Sequence, residues 1–216
     1  MIDKQELPKI TQVKIFGERH TATNAITAFI HQNFNAQCRY YDLLGWKHRR
    51  APERAEWSKV NYLETLFIFS VRDPYDWLEA MHREPYYYHQ PQITELNFEQ
   101  FIAHPIEDYE NVVKMWNEKY IGYLKMLRET PNAMLIRMED FIENQQSVFN
   151  DLQSYLQNKQ DFQAMTRYVS GKGWEDKKME FKVTAPNSRK ISAINCDIDH
   201  QLVNMLGYRL RGGVTN

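Results

Sequence analysis

The sequence predicts an α/β protein with a parallel β-sheet covered by helices on both faces, and two observations lead there. Short runs of apolar and β-branched residues, above all Leu66-Phe67-Ile68-Phe69-Ser70-Val71, alternate along the chain with segments whose apolar residues recur at helical spacing. The 216 residues suffice for one α/β domain with a full core, and they contain no internal repeat or low-complexity linker. One domain over residues 1–216 is the expectation.

Taken in order, Val13–Phe16 reads as a short buried strand, and the apolar pattern from Asn24 to Ile30 opens a helix. Gln37–Tyr41 and Leu43–His48 offer a second strand region. Ala51–Asn61, polar and without a clear period, is a loop or a short helix crossing the sheet. Leu66–Val71 is the central parallel strand and runs into Arg72-Asp73-Pro74, where Asp73 suits an N-cap and Pro74 the first turn of a helix. Trp77, Leu78 and Met81 share one face of that helix. Pro85 prevents its continuation, so Arg83–Pro91, with Tyr86, Tyr87 and Tyr88, reads as an aromatic loop. Tyr109–Arg128 is the longest amphipathic helix, closed by Pro131, and Ala133–Arg137 is a further strand. Helices are expected at Gln146–Gln157, Asp161–Val169 and Asp199–Leu206, with Gly207 as the terminating glycine of the last. The lysine-rich stretch Ser170–Arg189 reads as a surface loop or mobile cover.

Lys and Arg number 27 against 28 Asp and Glu, so no global basic field attracts nucleic acid or a membrane surface, and any anion site must be local. Met1–Pro8 lacks the apolar run of a signal peptide and no stretch approaches a membrane span, which predicts a soluble, cytoplasmic protein. Cys38 and Cys196 are too few for a disulfide framework or a cysteine-ligated zinc site, and both thiols are expected to be unpaired and buried.

The stretch Val13–Asn24 places a compact, basic turn between a strand and a helix N-terminus. Free N–H groups of a first helical turn and the helix dipole both attract an anion, so this is a candidate phosphate cradle, with Arg19 and His20 as cationic donors. A solvent-facing basic turn is the alternative.

With Arg19-His20-Thr21-Ala22-Thr23-Asn24, the strand ending in Arg72-Asp73-Pro74, Met115–Tyr120, Leu135–Phe141 and a terminal Leu206-Gly207-Tyr208 in order, the chain resembles the sulfotransferase family over roughly Val13 to Tyr208. The resemblance implies a three-layer fold similar to that of P-loop NTPases and kinases. It implies transfer of a sulfuryl group from 3′-phosphoadenosine 5′-phosphosulfate (PAPS) to a hydroxyl or amine of a small-molecule or glycan acceptor, without a metal. By this likeness Arg19, His20, Thr21, Ala22, Thr23 and Asn24 hold the 5′-phosphate side of the cofactor and Arg72 its 3′-phosphate. Four positions depart from the family pattern. Ala22 stands for a glycine, Asp73 for an asparagine and Ala80 for a serine, and the loop lysine is missing, with Arg19 or His20 near its place.

Sulfuryl transfer needs positioning and charge stabilisation. Arg19 and His20, with Thr23, are the candidates on the leaving side. Trp46-Lys47-His48 is similar to the Lys-Thr-His segment that supplies the family's base, which nominates His48; a surface histidine in a basic cluster is the alternative. His82 and Glu84 are weaker choices. Trp77 and Tyr86–Tyr88 form an acceptor wall or a packed aromatic cluster, and Glu139 and Asp140 organise loops through backbone hydrogen bonds. Lys172, Lys177, Lys178, Arg189 and Lys190 lie over the nucleotide or form a solvated charge run. An inactive PAPS- or PAP-binding module of the same fold is a competing function. A nucleotide kinase is disfavoured because no Gly-x-x-x-x-Gly-Lys-Ser/Thr sequence occurs.

Overall fold

The computed structural model describes residues 9–85, 90–169, 176–179 and 186–212. The chain divides into two compact units, Met1–Val71 with Tyr123–Phe181, and Arg72–Gly122 with Lys182–Asn216.

Four strands, β1 (Gln12–Gly17), β2 (Gln37–Arg39), β3 (Thr65–Val71) and β4 (Ala133–Arg137), form a parallel sheet in the order β2-β1-β3-β4. The protein is therefore α/β, with a four-stranded parallel sheet flanked by helices. Every residue of β3 is buried and the strand is paired on both sides, as its unbroken apolar run requires. The register sets Gly17 against Ser70, so β1 and β3 end at the same edge of the sheet.

Side chains alternate across the sheet and give its faces different characters. Val13, Ile15, Leu66 and Ile68 pack with Ala25, Ile26, Phe29 and Ile30 of α1 (Thr23–Asn33), Phe141 of α6 (Met138–Glu143) and Phe149 of α7 (Gln145–Gln153). Rings meet edge-on or tilted there, with Phe29 and Phe141 centroids 5.3 Å apart and Phe34 and Phe149 5.0 Å apart. Elsewhere in the sheet Phe16 and Phe69 stack with Tyr123 of α5 (Val112–Glu129), at 6.1 and 5.3 Å.

Two segments differ from the sequence expectation. Leu43–His48 is not a strand but a series of turns, because Leu44 and Gly45 take φ of 57° and 77°, outside the extended region. Asp161–Val169 is not a helix. Asn33 Oδ1 accepts from Gln163 N at 2.9 Å, and the Gln145 amide brackets Met165, accepting from its N–H at 2.7 Å and donating to its carbonyl at 2.6 Å. These side chains hold the backbone in a non-helical path that ends in β5 (Arg167–Val169), antiparallel to β6 (Asp176–Lys178). Within Ala51–Asn61, the short-helix alternative forms as α2 (Arg54–Trp57), with a capping box between Glu53 and Glu56. Tyr86–Tyr88, Lys172 and most of Ser170–Ala185 lie outside the described residues.

The second unit holds α3 (Pro74–Arg83), α4 (Phe98–Ala103), the N-terminal part of α5, α8 (Ser188–Asn195) and α9 (His200–Met205). Asp73 caps α3 as expected, accepting from Tyr75 N at 2.9 Å and Asp76 N at 3.3 Å, and Trp77, Leu78 and Met81 are wholly buried. The two short helices α4 and α8 escaped the sequence reading. Each is held by a side-chain cap, Asn97 onto Gln100 N and Asn187 onto Lys190 N, which periodicity over so few residues does not reveal. Cys38 is buried, and burial pushes its thiol up to about 12. Cys196 is exposed, contrary to expectation, at the C-cap of α8. Among the described residues no helix is long and apolar enough to cross a membrane.

Candidate functional site

The turn between β1 and α1 is built by three constraints. Gly17 approaches β3 so closely that a Cβ at this position would lie 2.6 Å from the Ser70 carbonyl oxygen and 2.9 Å from Thr21 Oγ1. Thr21, wholly buried, donates its hydroxyl to the Glu18 carbonyl at 2.7 Å, and Ser70 Oγ donates to the Thr21 carbonyl, so the turn is closed on itself and fastened to β3. His20 and Ala22 then take φ of 63° and 66°, the left-handed conformation that admits the chain to α1.

Ala22 thus adopts the backbone shape for which a glycine is the usual residue. A left-handed alanine costs about 1–2 kcal/mol, against about 0.4–1 kcal/mol saved in the unfolded chain by not being glycine. Ala22→Gly is therefore expected to stabilise the protein by about 0.5–1 kcal/mol in urea denaturation; a loss of stability would contradict the assignment of strain to this residue.

At the N-terminus of α1, Ala22 supplies no side-chain cap and the first turn contains no acidic residue. This end attracts negative charge. Arg19 and His20 are partly exposed beside it in sequence, Thr23 is buried in the first turn and Asn24 is exposed. Glu18 is wholly buried.

The irregular segment after β2 completes the arrangement. Gly17 N donates to the Lys47 carbonyl at 3.0 Å, and His48 Nδ1 contacts the Gly17 carbonyl oxygen. A carbonyl only accepts, so Nδ1 carries a hydrogen, and in a neutral ring the lone pair then lies on Nε2. His48 is 7% exposed, held in one orientation by this bond and by the edge of Trp46 at 4.9 Å. Lys47 Nζ donates to Asn24 Oδ1 on the first turn of α1. A cation there opposes the helix dipole and is favoured only when an anion or acceptor accompanies it.

Sequence reasoning thus nominated His48, and the structure brings its segment against the strand end that opens the turn. It passed over Lys47, whose approach to Asn24 spans 23 positions and has no local signal. It also passed over Lys14, although a lysine inside the apolar run Val13–Phe16 was a visible irregularity.

No protein-family model matches this chain, and no curated protein matches it.

Arg72 follows β3 directly and is 5% exposed. Ala80 is buried in α3 and offers no hydroxyl. His82 is engaged structurally, its Nε2 2.9 Å from the Leu96 carbonyl and its ring against Phe98 and Phe101. Glu84 is exposed at the end of α3. Trp77 is wholly buried, so its place is in a packed interior rather than an open wall. Glu139 and Asp140 stand in the first turn of α6, and Asp140 pairs with Arg137 at 3.7 Å. Lys190 meets Glu79 at 2.8 Å and lies over the Phe98 ring, while Arg189 meets Glu99 at 3.0 Å. Both cations therefore have partners within their own unit. Lys178 is exposed on β6, and the side chain of Lys177 lies outside the described residues.

Proposed function

We propose that the protein is a sulfotransferase-like enzyme that moves a sulfuryl group from PAPS to a hydroxyl or amine. The observation that carries this reading is the pairing of His48 Nδ1 with the Gly17 carbonyl, which gives a turn suited to an anion a neighbouring imidazole with its lone pair on Nε2. An anion cradle alone would suit any phosphate ligand; a cradle with a fixed base suits group transfer to a protonated nucleophile.

In this reading the α1 N-terminus, Arg19, His20, Thr21, Ala22, Thr23 and Asn24 hold the 5′-phosphate side of the donor substrate. Lys47 takes the part of the missing loop lysine, and Arg72 takes the 3′-phosphate. The acceptor oxygen or nitrogen attacks sulfur in line, forming the new bond as the bond from sulfur to the 5′-phosphate oxygen breaks. The acceptor proton passes to His48 Nε2. The electron pair of the broken bond goes to the phosphate, where Lys47 and Arg19 stabilise it. The left-handed Ala22 supports the fit to the donor, since the turn keeps the shape expected of a glycine. Ala80 weakens the fit by the absence of one hydroxyl ligand.

Titration calorimetry tests the donor. Adenosine 3′,5′-bisphosphate is expected to bind more tightly than ATP or AMP, and Lys47→Met to weaken it about ten- to hundred-fold, the range of a charge-assisted hydrogen bond. Equal affinities for the three nucleotides would sink the assignment. In a sulfate-transfer screen over acceptor classes, His48→Ala is expected to lose turnover while retaining nucleotide binding. Binding without turnover on any acceptor would favour an inert nucleotide-binding module.

A further inference from the structure

We propose that Lys14 is the positioning residue of this site: its buried ammonium, bound to the carbonyl oxygens of Tyr40 and Gly45, sets where the following residues present Lys47 and His48. The catalytic consequence rests on reading Lys47 and His48 as site groups; the grip on the segment does not.

Lys14 lies in the middle of β1 and is 0% exposed. A charge in such a place is costly unless it is bound, and an apolar residue of similar length would fill the space without that cost. Its Nζ lies 5.2 Å from the centre of the Phe16 ring and donates to two carbonyls, those of Tyr40 and, at 2.7 Å, Gly45. These two oxygens bracket the turn that takes the place of the strand expected at Leu43–His48. The chain there bends through the left-handed Leu44 and Gly45, so a regular ladder cannot satisfy its carbonyls. Lys14 satisfies two of them from the sheet side. Only Trp46 separates Gly45 from Lys47. Downstream the segment is tied again by Gly17 and by Tyr123, whose hydroxyl donates to the Arg49 carbonyl at 2.6 Å. Lys14 is therefore the upstream fastening of a span whose downstream end carries the base.

The charged groups around Lys14 belong to the same construction. Asp42, within the bracketed turn, favours the ammonium, whereas Arg49 and Lys47 oppose it. Arg39, opposite Lys14 in register, is engaged with Asp42 and Gln12. Burial dominates and lowers the Lys14 pKa to about 8. The sign of the linkage separates local from global effects. Between about 8 and the ordinary value of 10.5 the unfolded chain binds the proton and the folded chain does not, so this group makes global stability rise with pH across that window. Over the same window the grip on Tyr40 and Gly45 loses its charge assistance and loosens.

Amide hydrogen exchange on the full chain, corrected for intrinsic rates, tests the proposal. In Lys14→Met the amides of Gly17, Gly45 and Arg49, which bond to Lys47, Tyr41 and Trp46, are expected to exchange at least about ten-fold faster, while those of α1 do not change. Nitrogen NMR is expected to show that His48 no longer holds its hydrogen on Nδ1 alone. Unchanged exchange at these amides overturns the proposal whatever the nucleotide affinity. Faster exchange in a protein whose wild type binds no adenosine 3′,5′-bisphosphate upholds the positioning role and overturns the functional reading instead. Should Lys14→Met fail to fold, the wild type taken from roughly pH 7 to 9.5 serves. The same three amides are expected to lose protection several-fold while α1 keeps its own, and parallel behaviour of the two groups overturns the proposal.

Discussion

Gly17→Ala is expected to destabilise the protein by about 2–3 kcal/mol, near the upper end of ordinary overpacking. The added Cβ would meet the Ser70 carbonyl oxygen at 2.6 Å and Thr21 Oγ1 at 2.9 Å. Thr21 could turn aside, but the carbonyl is backbone of β3, held in a ladder on both sides. Relief therefore requires the two strand ends to part, which breaks the contacts from Gly17 to Lys47 and His48 at the same time. The local strain and the candidate site are thus lost together, and under the proposed function nucleotide affinity is expected to fall with stability. Gly45→Ala is the appropriate comparison. Its backbone is left-handed, with φ of 77°, yet the nearest atoms to a new Cβ are the Arg49 side chain at 3.4 and 3.6 Å. That variant bears only the net conformational cost of a left-handed alanine, about 0.5–1 kcal/mol. Equal urea midpoints for the two variants would refute close approach as the reason for Gly17.

Arg211→Met is expected to cost about 3–5 kcal/mol near neutral pH, the range for breaking a buried pair and leaving its partner charged. Arg211 donates to both oxygens of Asp76, at 3.2 and 2.9 Å, and also lies 3.0 Å from Asp73. The Asp76 side chain is only 3% exposed. Around this pair Tyr75 donates its hydroxyl to Asn195 at 2.6 Å, Asn195 donates to the Arg211 carbonyl at 2.9 Å, and Arg211 N donates to the Tyr75 oxygen at 3.1 Å. The C-terminal segment is thus fastened to the first turn of α3. Burial already pushes the Asp73 carboxyl above its ordinary value, with Arg211 pulling it down. Without Arg211 that pull disappears and the folded pKa rises further above the unfolded one. A group raised in this way favours folding at low pH and penalises it above its folded pKa, so the deficit should shrink as the medium is acidified. Chemical denaturation across a pH series measures this. A deficit independent of pH between neutrality and the ordinary carboxylate range would contradict the account.

Much of the site's scaffold was legible in the residues because its signals are local. The apolar run of Leu66–Val71 demanded burial on both faces, the strand-turn-helix order around Arg19 and His20 marked an anion-attracting helix end, and Asp73-Pro74 announced a cap. Leu43–His48 was not legible as a turn, because its conformation depends on an ammonium delivered from Lys14 on another element. Asp161–Val169 kept a helical look while Asn33 and Gln145 drew its backbone elsewhere.

The sequence by itself determined the α/β class, the parallel strands and the place of the basic turn, since hydrophobic period and capping chemistry act over a few residues. Only the tertiary structure decided that Lys47 reaches Asn24, that His48 holds its hydrogen on Nδ1 against Gly17, and that Cys196 faces solvent while Lys14 does not. Those outcomes turn on which distant carbonyls and side chains meet. A buried polar group must find a partner wherever the fold supplies one, and no sequence spacing specifies that partner.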